Sequence, residues 1–260
     1  MGIIRTDRWL DQWFFQPEII CEKLMNHFDR LTGQSIYLFL QSKGMYKPNR
    51  LTKKNFHMMK ERNHWEKVED FFNKYKKRWK GPNISIYVFP SSFSLFDPMN
   101  KREGFTFPHA MFLFLSPNLN DRELEALFVH EYHHATRMGT LKKPVSENNL
   151  ADSVVMEGLA EFAVWKYCGE PYLSKWIFAY EEKEIKYVWK KWFQPNLTTS
   201  ISDPLHDQLL YGKIFSKPMF GYAAGFYFVK QFDQQSKLSM EESFILPANT
   251  FILRNENQGK

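Results

Sequence analysis

Apolar residues recur along this chain at two spacings, and the two spacings predict different elements. Helical spacing runs through 9–31, with Trp13, Phe14, Ile19, Leu24 and Phe28, and again through 63–79. It returns at 121–138 with Leu124, Leu127, Phe128, Ala135 and Met138, and at 152–168 with Val154, Val155, Leu159, Phe162 and Trp165. A further amphipathic helix carries Trp176, Ile177, Tyr180, Val188 and Trp192 on one face and lysines on the other. Strand patterns are fewer. NISIYVF at 83–89 alternates, AMFLFL at Ala110–Leu115 is a continuous apolar run between Pro108 and Ser116-Pro117, and IYLFL at 36–40 is a weaker third case. The pattern predicts an α+β fold, mostly helical, with a small mixed sheet. The stretch 91–109, punctuated by Gly and Pro and carrying Phe93, Phe96, Phe105 and Phe107, reads as a loop that could wall a cleft or close as a lid.

The 121–138 helix carries the chemistry. Asn118, Asn120 and Asp121 are its candidate N-caps, and Gly139 stands just past its expected end. Within it, His130, Glu131, Tyr132, His133 and His134 read HEYHH, an HExxH pattern. Two histidines four apart lie about 40° apart around a helix, so both imidazoles can ligate one metal ion. Glu131 falls about 100° from His130, inside an apolar stripe centred near about 110°, which predicts a partly desolvated carboxylate beside the metal face. That is the place for a general base that takes a proton from water. His133 projects to about −60°, makes a poorer ligand pair with His130, and is expected to support the site or to face solvent.

A catalytic zinc normally takes three protein ligands and leaves one position open. MEGLAE at 156–161 places Glu157 and Glu161 four apart on one face of the 152–168 helix, which Gly169 closes. Carboxylates on so apolar a helix need partners. One can bind the metal while the other accepts the N–H of a ligating imidazole, fixing its tautomer and orientation.

HEYHH followed after a spacer by EGLAE resembles the gluzincin arrangement, in which HExxH on one helix is completed by a Glu on the next. By its length, the order of its elements and the later GYAAG segment, the chain resembles the YjaZ-like family of predicted bacterial zinc metallopeptidases. The resemblance implies a zincin-like fold with the HExxH and EGLAE helices flanking a zinc cleft. It implies Zn2+ held by His130, His134 and Glu157, with Glu131 as the base and Glu161 supporting a ligand His. It also implies a peptide or protein substrate. A donor to the developing oxyanion is needed as well. Tyr222, in Gly221-Tyr222-Ala223-Ala224-Gly225, is favoured because GYxxG resembles the family's late motif; Tyr211 and His206 are the alternatives. In zincin-like folds an edge strand beside the active-site helix pairs with extended substrate. Ala110, Met111, Phe112 and Leu113 are candidates for that role, with a buried core strand as the competing reading.

Composition narrows the remaining choices. At 260 residues and 43% hydrophobic, the chain can bury a full core as one zincin-like unit, or as two closely joined lobes. A helical part at 1–80, a catalytic core at 81–235 and a tail at 236–260 are expected. Two cysteines make no disulfide framework, and neither a secretory leader nor a run of transmembrane length is evident, which predicts a cytoplasmic protein. The net charge of +6 and the Lys- and aromatic-rich stretches at 74–80 and 183–192 raise an alternative, a noncatalytic binding module for nucleic acid or an anionic membrane. That charge is modest for the length, so neither partner is expected. The same water activation also permits hydrolysis of a non-peptide amide or ester.

Overall fold

A computed structural model describes residues 2–92, 102–215 and 217–256. The chain divides into two units, Met1–Ala135 and Thr136–Lys260, and the division falls inside one long helix.

The first unit is organised by a four-stranded mixed sheet in the order β1 (Ile3–Ile4), β2 (Ser85–Pro90), β4 (Ala110–Leu115), β3 (Arg102–Phe107). β1, β2 and β4 run parallel, with Ile86 paired to both Ile3 and Met111. β3 returns antiparallel to β4 through the two residues Pro108 and His109, and Phe107 pairs with Ala110. Every residue of β2 and β4 is buried, as expected of strands covered on both faces. This explains the unbroken apolar run of β4. It also corrects the proposed edge role of Ala110, Met111, Phe112 and Leu113: β4 is paired on both sides, so its backbone has no free ladder to offer a substrate. Among the described residues the sheet ends on β1 and β3, and β3 lies within the stretch read as a loop. Phe93 and Phe96 of that stretch lie outside the described residues.

Around the sheet stand α1 (Thr6–Trp13), α2 (Pro17–Glu22), α3 (Gly33–Ser42), α4 (Arg50–Glu61) and α5 (His64–Trp79). The expected single helix over 9–31 is broken, since α1 ends at Trp13 and Pro17 opens α2, where its missing N–H costs nothing. IYLFL is not a strand. Thr32 caps α3 by accepting from the Ser35 N–H, and the spacing of Ile36 and Leu40 then buries one helical face. Thr6, fully buried, ties α1 to both neighbours: its hydroxyl donates to the Val88 carbonyl and accepts from Trp65 Nε1 at 2.9 Å.

α6 (Asp121–Leu141) starts on a reciprocal cap, with the Glu123 N–H donating to Asn120 Oδ1 at 2.9 Å and the Asn120 N–H to Glu123 Oε2 at 2.8 Å. It runs through Gly139 rather than ending before it. In the second unit, α7 (Leu150–Tyr167) begins on an Asn149–Asp152 capping box and ends before Gly169, whose φ of +99° suits a glycine. α8 (Glu182–Val188) passes into a wide turn at Trp189–Phe193 in place of one continuous amphipathic helix. α9 (Pro204–Leu210), α10 (Phe220–Ser236), α11 (Met240–Ile245) and α12 (Ala248–Glu256) follow. The described part of the expected tail, to residue 256, thus carries α11 and α12. Arg137, buried and with its pKa lowered to about 10 by desolvation, donates to the carbonyls of Ser243 and Leu246 at the end of α11.

His64, 1% exposed at the start of α5, has its pKa lowered to about 4 by burial and then by the nearby Lys67 cation. The folded chain thus keeps the ring neutral where the unfolded chain protonates it. Stability should fall by roughly 2–3 kcal/mol as pH drops from about 6.5 to about 4. Urea unfolding at several pH values should show that His64→Leu flattens this slope; an unchanged slope would remove His64 as its source.

Candidate metal centre

The HEYHH segment is set by what lies on the other side of α6. Tyr132 is fully buried, stacks on Trp79 of α5 at 5.7 Å and on Phe128 at 5.4 Å, and donates its hydroxyl proton to the Pro82 carbonyl at 2.9 Å. His133 is also fully buried and meets Trp79 edge-on at 6.2 Å. The solvent-facing alternative for His133 is thereby corrected, because the ring sits in the α5–α6 contact. With that face anchored, His130 and His134 are left on another, and their Nε2 atoms lie 3.1 Å apart. Two zinc ligands at about 2.0–2.1 Å in tetrahedral arrangement stand about 3.3 Å apart, so the pair fits a shared cation closely.

Glu131 is 5% exposed. The Thr106 hydroxyl of β3 donates to its Oε2 at 2.6 Å. Sequence reasoning missed Thr106 because β3 read as loop; the signal available was the alternation of Phe105 and Phe107 about it.

In the second unit, α7 presents Glu157 half-buried and Glu161 only 2% exposed. Both oxygens of Glu161 accept from Ser174, Oε2 from the backbone N–H at 3.0 Å and Oε1 from the hydroxyl at 2.7 Å. Each carboxylate oxygen has a second lone pair, so these bonds leave acceptor capacity for an imidazole N–H. The placement of α7 rests on two glycines. A Cβ on Gly158 would lie 2.2 Å from the Gly225 carbonyl carbon, and one on Gly225 would lie 2.1 Å from the Val154 oxygen. The glycines of EGLAE and GYAAG are therefore two halves of one helix crossing.

His206, an alternative oxyanion donor on sequence grounds, has both ring nitrogens engaged within its own unit. It is 1% exposed, with Nδ1 3.0 Å from Asp207 Oδ1 on its own helix and Nε2 2.9 Å from Ser153 Oγ, and the second of these contacts ties α9 to α7. Tyr211 and Tyr222 lie with ring centroids 6.5 Å apart. Burial, then the Glu157 and Asp207 carboxylates, push the Tyr211 phenol up to about 12. It stays protonated, a donor, through neutral pH.

One ligand atom from each of His130, His134 and Glu157 lies within 4.8 Å of the others. Among the described residues these three form a group suited to holding a metal ion, and the donor set of two imidazoles and one carboxylate suits zinc. The family described as predicted Zn-dependent protease (DUF2268) matches residues 64–253, which include all three. The chain belongs to this family. Uncharacterized protein YjaZ of Bacillus subtilis (strain 168) is 33% identical over 237 residues, covering 88% of this chain and 89% of the relative. Uncharacterized protein YjfC of the same organism is 23% identical over 154 residues, 56% of this chain and 52% of the relative. No solved structure matches the chain. The DUF2268 match begins at His64, so α5, which anchors the HEYHH helix through Trp79, lies within it, as do both crossing glycines.

Gly158→Ala and Gly225→Ala each force a methyl group against backbone, which cannot swing aside as a side chain can. Each should cost about 1–3 kcal/mol or more in urea unfolding. A substitution that leaves the midpoint unchanged would contradict the close crossing.

Proposed function

We propose that this chain is a zinc-dependent peptidase of the gluzincin type, working in the cytoplasm on peptide or protein substrates. The observation that carries the reading is the convergence of the His130 and His134 Nε2 atoms at 3.1 Å, with the buried Glu131 carboxylate next in sequence on the same helix. Zinc held by His130, His134 and Glu157 would lower the pKa of water toward about 7 and polarise a substrate carbonyl. Glu131 removes a proton from the attacking water and passes it to the leaving amine, so the base ends the cycle as it began. Glu161, anchored on Ser174, accepts the N–H of a ligand imidazole and so orients the ring. A tyrosine phenol stabilises the oxyanion; Tyr222 is favoured, with Tyr211 the competing donor. β3 ends the sheet among the described residues and touches Glu131, so its edge offers strand addition to an extended peptide. Such recognition reads backbone more than side chains. No described helix is long and apolar enough to cross a membrane.

Hydrolysis of an unstructured protein such as casein by the zinc-loaded chain, beside its variants, tests the reading. Glu131→Gln should keep zinc and lose activity by about 10²–10⁴-fold. Glu157→Gln should lose most of the metal, whereas Glu161→Gln should weaken zinc binding by only about 10–100-fold. Tyr222→Phe should lower kcat more than Tyr211→Phe does. A Glu131→Gln protein of full activity would remove the base, and a Glu161→Gln protein that loses zinc while Glu157→Gln keeps it would reverse the two carboxylates.

A further inference from the structure

Glu131 is held from outside its own helix, by alternate residues of the edge strand. Side chains two apart on a strand share a face, and Gly104 and Thr106 of β3 both meet this one carboxylate. The Thr106 hydroxyl donates to Oε2 at 2.6 Å. A Cβ on Gly104 would stand 2.3 Å from Cγ of Glu131 and 2.4 Å from Oε1, so the carboxyl group occupies the space that a side chain at 104 would fill. The alternate residues serve the opposite face: Phe105 packs edge-on against Phe39 at 5.4 Å and Phe107 against Phe28 at 5.3 Å. Those ring contacts fix the register of the strand, and with it the height of the Thr106 hydroxyl over α6.

A free Glu side chain has three rotatable bonds, and a base must place one oxygen at the proton it takes. A hydroxyl bond to one oxygen of a carboxylate is charge-assisted and short, and it commits that oxygen. We propose that Thr106 is a positioning residue for Glu131: its hydroxyl holds Oε2, and the missing side chain at Gly104 lets Oε1 sit against bare backbone as the proton acceptor. This rests on Glu131 acting as the general base. The contact explains why the strand nearest the base has Gly and Thr at alternate positions and aromatic residues at the others. The Thr106 hydroxyl touches neither the reacting atoms nor the metal in this account; its effect passes through Glu131.

Two readouts test it on the full chain. In metal-free protein, the side-chain carboxyl ¹³C resonance of Glu131, assigned by its absence in Glu131→Gln, should shift in Thr106→Val and return in Thr106→Ser. With zinc loaded and casein as substrate, Thr106→Val should lower kcat by about 10–100-fold with KM within about twofold and zinc content unchanged. Thr106→Ser should restore most of the loss, and adding Thr106→Val to Glu131→Gln should cost nothing more. A resonance unmoved by Thr106→Val, a kcat that Thr106→Ser fails to restore, or an equal further loss in the Glu131→Gln background would each overturn the proposal. Full kcat in Thr106→Val beside an inactive Glu131→Gln removes only the role of Thr106. An equally active Glu131→Gln removes the base, and this proposal with it.

Discussion

Two imidazole nitrogens held 3.1 Å apart on one turn of helix are the constraint around which the site is arranged. Neutral imidazole carries one ring donor and one acceptor, so a pair of Nε2 atoms pointed at each other satisfies at most one hydrogen bond. A cation bound by both relieves that, and it asks for the i, i+4 spacing that α6 provides. The remaining faces of the helix are then committed. Tyr132 and His133 fix one against Trp79, and Glu131 is fixed against β3. No side chain of HEYHH is left to drift, which is what a site requiring sub-ångström placement needs.

The carboxylates on α7 follow the same logic by different means. Glu157 adjoins Gly158, and Gly158 meets Gly225 backbone to backbone, so the ligand candidate stands beside a close helix crossing. Packed backbones give less than packed side chains, because they have no rotamers to exchange. Glu161, one turn further on, is pinned by Ser174 through both oxygens. Placement here comes from glycine and serine, not from bulk.

The helices that carry the site were legible because their signals agree. Apolar spacing, an Asn cap with Glu three residues on and the HExxH spacing all point to α6, and an Asn149–Asp152 box opens α7 where the apolar pattern begins. What failed did so for local reasons. IYLFL has the composition of a strand, yet Thr32 caps it as a helix, and five residues are too few for periodicity to decide. REGFTF carries two charges and a glycine in six residues, which hides an edge strand with a lighter burial demand than the central ones. With β3 unseen, the edge role passed to AMFLFL, whose unbroken apolar run is the mark of a strand paired on both sides. His206 drew notice as a catalytic donor because an isolated histidine between aspartates does not reveal that Ser153 will claim its second nitrogen.

We propose that His130, His134 and Glu157 together hold one zinc ion. X-ray absorption at the zinc edge of the zinc-loaded chain reads the ligand set. The account predicts two imidazole nitrogens at about 2.0–2.1 Å with carboxylate and water oxygens completing the shell, and loss of the bound zinc in Glu157→Gln. A sulfur shell at about 2.3 Å, a single imidazole, or a spectrum unchanged by Glu157→Gln would contradict it.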